Sequence, residues 1–402
     1  TWDQVGAGIV GELPEEEDEI AFLQRIKRMF DVDTIRHSAL IGKPIREVAI
    51  CGGSGASLIN DAINYGADIF ITGEAKYNDF YDVEDRILLA VIGHYESEIC
   101  TKEIFYEKDA WNYELGKKLL TEYKLKGIKL KEIENHNNIE ELRKKENSEF
   151  CSMKKNLIIG IRKTHKFIEN HKVSDYLVPY TSSGCIAMCM YCYLVCNFNK
   201  CSYLRLFVNR EEMLEKIIKV ANKEDKKLTF EIGSNSDLIL ENTITNNLVW
   251  TIENFRKSPK GMLTFPTKFD MVDPILPLKH DGKVIVRMSV NPSEIIKQIE
   301  IGTSPLKNRV IAINKLKHAG YKIGILIAPV ILVDEWMRLY EDLIKYLYDN
   351  LSSEVKKDVF FEIIFMTYSY VHRMINNEAF PDRINLYNKD IMTVRGRGKY
   401  MY

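Results

Sequence analysis

Three cysteines set close together constrain this chain more than any other feature. Cys185, Cys189 and Cys192 stand in a CxxxCxxC spacing within Thr181–Leu194, TSSGCIAMCMYCYL. Three thiolates on one short loop can converge on a single iron–sulfur cluster, yet they leave a four-iron cluster one protein ligand short. An open iron is what S-adenosylmethionine needs if its amino and carboxylate groups are to chelate it. Tyr191, just before the last cysteine, would then stand near the adenine. A structural zinc site and three unrelated thiols are the competing readings. Zinc favours four ligands in paired CxxC or Cys/His spacings, and no partner pair follows at the usual distance.

The chain has 402 residues, 46% hydrophobic and 28% charged, which suits two domains or one large one in a soluble globular protein. No apolar run reaches membrane-span length, and no signal peptide is read at the N-terminus. Five of the eight cysteines fall within Cys185–Cys201. That clustering fits a metal site in a reducing cytosol better than a disulfide scaffold, so a cytoplasmic location is expected. The net charge of −1 hides a split: residues 1–103 carry 9 Lys/Arg against 20 Asp/Glu, a balance of −11, and the remainder balances at +10. Such asymmetry argues for two units with different partners. A basic second unit suits nucleic acid, although +10 over so long a stretch is also an ordinary surface.

In the first unit the acidic run Glu15–Glu19 is expected to open a helix that continues through Phe22–Phe30, where acids suit the positive end of the dipole. Arg46–Cys51, Asp68–Thr72 and Leu88–Gly93 read as strands. Gly52-Gly53-Ser54-Gly55 leads into a helix at Ala56–Tyr65. A strand, a Gly-rich turn and a helix start can hold an anion, but the spacing matches no phosphate-binding fingerprint, and a tight turn is the plainer reading. His94 and Glu98 follow at i, i+4, which puts both on one side of a helix and lets them share a metal. The ordinary alternative is a helix-surface contact.

CGGSG, ITGEAKY and IGHYESE, in that order, resemble the C-terminal half of the Ngg-interacting-factor-three-like, dinuclear metal-centre family over roughly residues 5–103. The resemblance makes His94 and Glu98 ligands of a two-metal site. Two departures stand out. The other ligands belong to an N-terminal half that these residues do not include. Asn78 replaces the histidine that usually follows Lys76-Tyr77. The implied unit is a fragment with weak or no binding of a divalent metal, unless another chain completes the site.

From about Ile104 a second unit begins. A helix is expected between Asp109 and Lys126, a strand at Lys129–Ile133, a charged loop at Arg143–Ser152 and a strand at Leu157–Arg162. Past the cysteines come strands at Leu204–Val208, Leu228–Ile232, Gly261–Phe265, Val284–Val290, Lys322–Val330 and Val359–Met366. Helices intervene, notably Glu211–Asn222, Pro305–Ala319 and Asp334–Leu347. Val/Ile/Leu runs separated by helices imply a parallel sheet covered on both faces, which right-handed crossovers can close into a full or partial barrel. Active sites on such folds lie at the C-terminal strand ends. Those ends carry Glu231 with Ser234-Asn235-Ser236-Asp237, Thr267-Lys268, Ser289 with Asn291, and Ala328-Pro329. Alone, each is as well explained as a turn or cap residue. Together they suit a cofactor's carboxylate, ribose and adenine.

CxxxCxxC is the signature of the radical S-adenosylmethionine enzymes, and residues 104–402 as a whole resemble the spore photoproduct lyase family. The segments TSSGCIAMCMYCYL, YLRLFVN, FEIGSNSDL, TFPTKFD, VRMSVN, HAGYKIGILIAPV and GKYMY run in family order. The resemblance implies an α/β fold: a partial or full parallel (β/α) barrel of radical S-adenosylmethionine type, beside the small N-terminal α/β fragment of residues 1–103. It implies a [4Fe–4S] cluster on Cys185, Cys189 and Cys192. It implies S-adenosyl-L-methionine in a pocket lined by Tyr191, Ser236, Lys268, Ser289 and Ala328, and an active-site tyrosine at Tyr193. DNA and an external electron donor are the implied partners. In the implied reaction a 5′-deoxyadenosyl radical takes the C6 hydrogen of a thymine dimer, the spore photoproduct. Its methylene bridge then breaks, and an enzyme cysteine returns a hydrogen atom.

The chain departs from that pattern at the returning step. The donor's place in the FExxCxSD segment is Ser234, and a serine O–H bond is too strong to stand in for a thiol. Cys196 and Cys201, not expected from the family pattern, offer substitute thiols or a second metal site, or simply pack. Val394-Arg395-Gly396-Arg397 keeps basic character where the lyase has an Arg-Tyr pair in a DNA-probing hairpin, and loses the aromatic wedge. The expected function is repair of a thymine photoproduct. A radical enzyme with another substrate and a non-catalytic nucleic-acid binder are the alternatives.

Overall fold

A computed structural model describes residues 8–93, 103–197, 203–395 and 399–401, apart from 31, 33, 54, 84 and 224. His94, Glu98, Cys201, Gly396 and Arg397 lie outside the described residues, as do the side chains of Cys196 and Arg395. The chain divides into two compact units, Thr1–Thr101 and Lys102–Tyr402. Among the described residues no helix is long and apolar enough to cross a membrane.

The first unit is built on a five-stranded sheet. Ile45–Cys51, Ile69–Thr72 and Leu88–Val91 run parallel, and Ile9–Glu17 and Arg36–His37 pair antiparallel at its two edges. Side chains alternate between faces along each strand. Ile69, Ile71, Leu88 and Ala90 pack with Phe22, Leu23 and Ile26 of the helix Glu19–Met29. Phe70, Leu89 and Val91 pack with Ile59 and Ala62 of the helix Ile59–Asn64. The glycine turn is tight because Gly55 has no room for a side chain: a Cβ there would stand 2.7 Å from Cys51 Sγ and Thr72 Oγ1.

The acidic run corrects the reading above. Glu15–Glu17 finish an exposed edge strand instead of opening a helix. Asp18 is the cap, accepting from Ile20 N at 3.0 Å and Ala21 N at 3.1 Å. Its backbone is extended, as an N-cap requires, so the acids before it fall in the strand. Glu19 begins the helix but turns inward, accepting from the Ile41 and Gly42 amides at 2.7 and 2.8 Å.

The second unit holds two main sheets. In one, Lys129–Ile133, Glu103–Glu107, Asn156–Gly160 and Leu204–Phe207 run parallel, and Ser182–Ser183 adds an antiparallel edge. The other has seven strands in the order Phe360–Phe365, Lys322–Val330, Val284–Val290, Met262–Thr267, Thr229–Glu231, Tyr176–Leu177 and Ile168–Glu169. All its pairs are parallel except the last. Among the described residues its two outer strands do not pair, so the barrel is partial. Arg143–Ser152 is not the expected loop. Helices at Glu140–Arg143 and Phe150–Met153 flank a turn closed by a Glu146/Glu149 capping box, and Leu142, Phe150 and Met153 are buried.

Candidate active site

The chain reaches the site from the strand Tyr176–Leu177 and enters the cysteine loop after Ser182–Ser183. Met188–Cys189 pairs antiparallel with Glu300–Ile301, in the register Cys189 to Glu300. Cys192 N then donates to Cys189 O at 3.0 Å, and a helix starts at Tyr193. Cys185, Cys189 and Cys192 are free and half-buried. Burial pushes the Cys185 thiol up to about 12 and the Cys189 thiol well above its ordinary value; the Asp237 charge adds to the first and the Glu300 charge to the second, each ahead of any neighbouring thiol. Metal charge is what releases protons from such a set. Among the described residues no three His, Cys, Asp or Glu side chains close on one ion. A four-iron cluster takes each of the three thiolates on a different iron. The donor set fits a cluster.

Beside the loop lies a knot of charge centred on Glu300. Its carboxylate accepts from the Tyr191 hydroxyl, from Lys268 Nζ at 3.1 Å and from Asn291 Nδ2 at 2.9 Å. Arg309 Nη2 stands 2.8 Å from its other oxygen, with both side chains 0% exposed. Burial alone would push this carboxyl up. The Lys268 and Arg309 charges, with the Tyr191 and Asn291 bonds, outweigh burial and hold it at about 2. Lys268 Nζ also donates to Ser289 Oγ at 2.6 Å and Ala328 O at 3.0 Å, and sits 5.6 Å from the centre of the Tyr191 ring. Four expected pocket residues, Tyr191, Lys268, Ser289 and Ala328, therefore share one network. Its two cations, Lys268 and Arg309, both lie against the Glu300 carboxylate. Asp237 anchors Lys268, accepting from its backbone N at 2.9 Å and from Thr267 Oγ1 at 2.8 Å. Because Arg309 and Glu300 are a fully buried pair, Arg309→Met is expected to cost about 3–5 kcal/mol, read as a lower urea midpoint.

Ser236 occupies the seam between the sheets. It forms a parallel bridge with Gly184, and its Oγ lies 2.6 Å from Ser182 Oγ. Ser182 and Thr181 both donate to Glu241 Oε2, at 2.5 and 2.9 Å. On the far side of that turn Ser234 Oγ donates to Glu231 Oε1 at 2.7 Å. Arg287 Nη2 stands 2.8 Å from Glu231 Oε2, and Arg287 Nη1 stands 3.0 Å from Glu362. Tyr193, 52% exposed, donates its hydroxyl to Ser234 O. Tyr193 and Ser234 are thus neighbours. Reasoning from strand ends missed Glu300 and Arg309. The one available signal was an acid set between Ile299 and Ile301, an apolar context that calls for a buried partner.

Residues 99–402 match the family model "Spore photoproduct lyase", and residues 3–117 match "Duf34/NIF3 (NGG1p interacting factor 3)". Spore photoproduct lyase of Bacillus subtilis is 33% identical over 305 residues, 74% of this chain and 89% of that protein. A solved structure of a doubly substituted spore photoproduct lyase, with bound AdoMet and dinucleoside spore photoproduct, superposes with a TM-score of 0.70 at 29% identity. It covers 76% of this chain and 91% of its own. The "GTP cyclohydrolase 1 type 2 homolog" of Streptococcus pneumoniae is 36% identical over 122 residues, 29% of this chain but only 45% of that protein.

Proposed function

The chain belongs to the spore photoproduct lyase family, and on that premise we propose that it is a radical S-adenosylmethionine enzyme that repairs a thymine photoproduct in DNA. One observation carries the reading. The three-cysteine loop is paired, at Cys189, with the residue that holds Tyr191 and Lys268. A metal loop and the expected cofactor pocket are thereby built as one piece. Cys185, Cys189 and Cys192 would hold a [4Fe–4S] cluster, which, fed by an external electron donor, would supply the electron that breaks the S–C5′ bond of S-adenosylmethionine to give methionine and a 5′-deoxyadenosyl radical.

The chain's own residues do the rest. Lys268 meets the cofactor carboxylate, exchanging part of its hold on Glu300. Ser236 and Ser289 offer hydroxyls to ribose or carboxylate, Tyr191 lines the adenine, and Ala328 leaves room for it. Tyr193 and Ser234 face the photoproduct. Residues 104–402 carry this activity in the reducing cytosol. Residues 1–103 form a separate acidic unit of metal-centre type, with weak or no divalent metal of its own. The known relative with bound AdoMet and dinucleoside spore photoproduct supports the cofactor and the substrate class.

The test is an anaerobic assay of the reconstituted chain with reductant, S-adenosylmethionine and spore-photoproduct dinucleotide. The expected result is release of 5′-deoxyadenosine together with loss of the photoproduct. Cofactor cleavage that leaves the photoproduct untouched would point to a different substrate. No cleavage at all would sink the radical reading.

A further inference from the structure

The cysteine loop is gripped by three buried side chains that no strand end supplies. Lys154 Nζ donates to Cys185 O at 2.7 Å. Asn376 Nδ2 donates to Met190 O at 2.8 Å. His372 Nε2 stands 3.0 Å from Cys192 O. Lys154 ends the helix Phe150–Met153, and the other two lie one turn apart on the helix Tyr370–Ala379. Asn376 is neutral. Lys154 is the cation of the trio, only 3% exposed, with its ammonium 5.3 Å from the centre of the Phe150 ring.

Lys154 thus holds a buried positive charge within hydrogen-bond distance of the backbone of the first cysteine in the loop. In a low-dielectric site a fixed charge acts strongly on any change of charge beside it.

We propose that Lys154 is a positioning residue whose charge raises the reduction potential of the cluster on Cys185, Cys189 and Cys192. The inference rests on the cluster reading above. Reduction adds one electron to the cluster, and a fixed cation in a low-dielectric site stabilises the reduced form. Lys154 thereby makes the cluster easier to charge, while Asn376 and His372 fix the shape of the loop.

The experiment is a redox titration of the reconstituted full chain, following the electron-paramagnetic resonance signal of the reduced cluster. The variants are Lys154→Gln, Lys154→Met and Lys154→Arg. Both neutral variants are expected to shift to more negative potential. At the poise where half the wild-type clusters are reduced, their reduced-to-oxidised ratio falls about tenfold. Lys154→Arg stays near wild type. An unshifted Lys154→Gln would overturn the proposal, because that change keeps a donor and removes only charge. So would neutral variants with less bound iron and sulfide than wild type, since Lys154 would then serve assembly. A wild-type chain that takes up no cluster overturns the functional reading itself, and this inference with it.

Discussion

Replacing Cys185, Cys189 or Cys192 by alanine, one at a time, is expected to abolish the iron–sulfur cluster. Bound iron and brown absorbance of the reconstituted protein fall to background, and S-adenosylmethionine cleavage falls with them. The effect is all-or-none because three thiolates are already one short of the four irons. Two would leave two irons without a protein ligand. Cys151, on the helix Phe150–Met153, has its thiol pushed up by burial, which keeps it protonated and a poor substitute ligand. The fold itself tolerates the change. Each cysteine is only half-buried, so losing one sulfur costs about 1 kcal/mol and leaves the far-ultraviolet circular dichroism unaltered. Full iron content in any one of the three variants would remove that cysteine from the ligand set.

What could be read in advance divides by the range of the interactions involved. Val284–Val290 and Lys322–Val330 have the expected bounds, because apolar β-branched runs buried on both faces are specified locally. The charged run Arg143–Ser152 misled for the opposite reason. Its helices are short, and each rests on one or two buried residues and on exposed pairs such as Lys144–Glu140 and Lys145–Glu149, so no long periodicity exists to detect. Glu15–Glu17 misled because an exposed edge strand accepts charge, which makes it look like a helix start. The site shows the same division. The cysteines, Lys268, Ser289 and Ala328 were legible from spacing and strand ends. Glu300 was not, because its meaning lies in a contact with Tyr191, 109 residues away in the chain. Such a contact forms only when the Met188–Cys189 and Glu300–Ile301 strands pair. Lys154 was hidden in the same way, 31 residues from the carbonyl that it holds.

Ser234→Cys is expected to change the outcome of the reaction more than any other single substitution outside the cluster. In the wild-type chain the Ser234 hydroxyl is committed to Glu231, and Glu231 is held in turn by Arg287. An O–H bond so placed does not yield a hydrogen atom to a thymine radical, so the wild-type chain is expected to consume photoproduct and give the repaired thymidyl-thymidine only as one part of a mixture of products. A thiol at this position is a weaker hydrogen-bond donor. It loses most of the bond to Glu231, worth about 1.5–3 kcal/mol, which lowers stability modestly and frees the S–H for transfer. Chromatography of the products should then show thymidyl-thymidine replacing the mixture. Ser234→Ala is the control, and should behave as wild type, since neither side chain donates a hydrogen atom. If wild type and Ser234→Ala already give clean thymidyl-thymidine, Ser234 is not the missing donor. The hydrogen must then come from another group, and Tyr193, whose hydroxyl rests on Ser234 O, stands closest to that role.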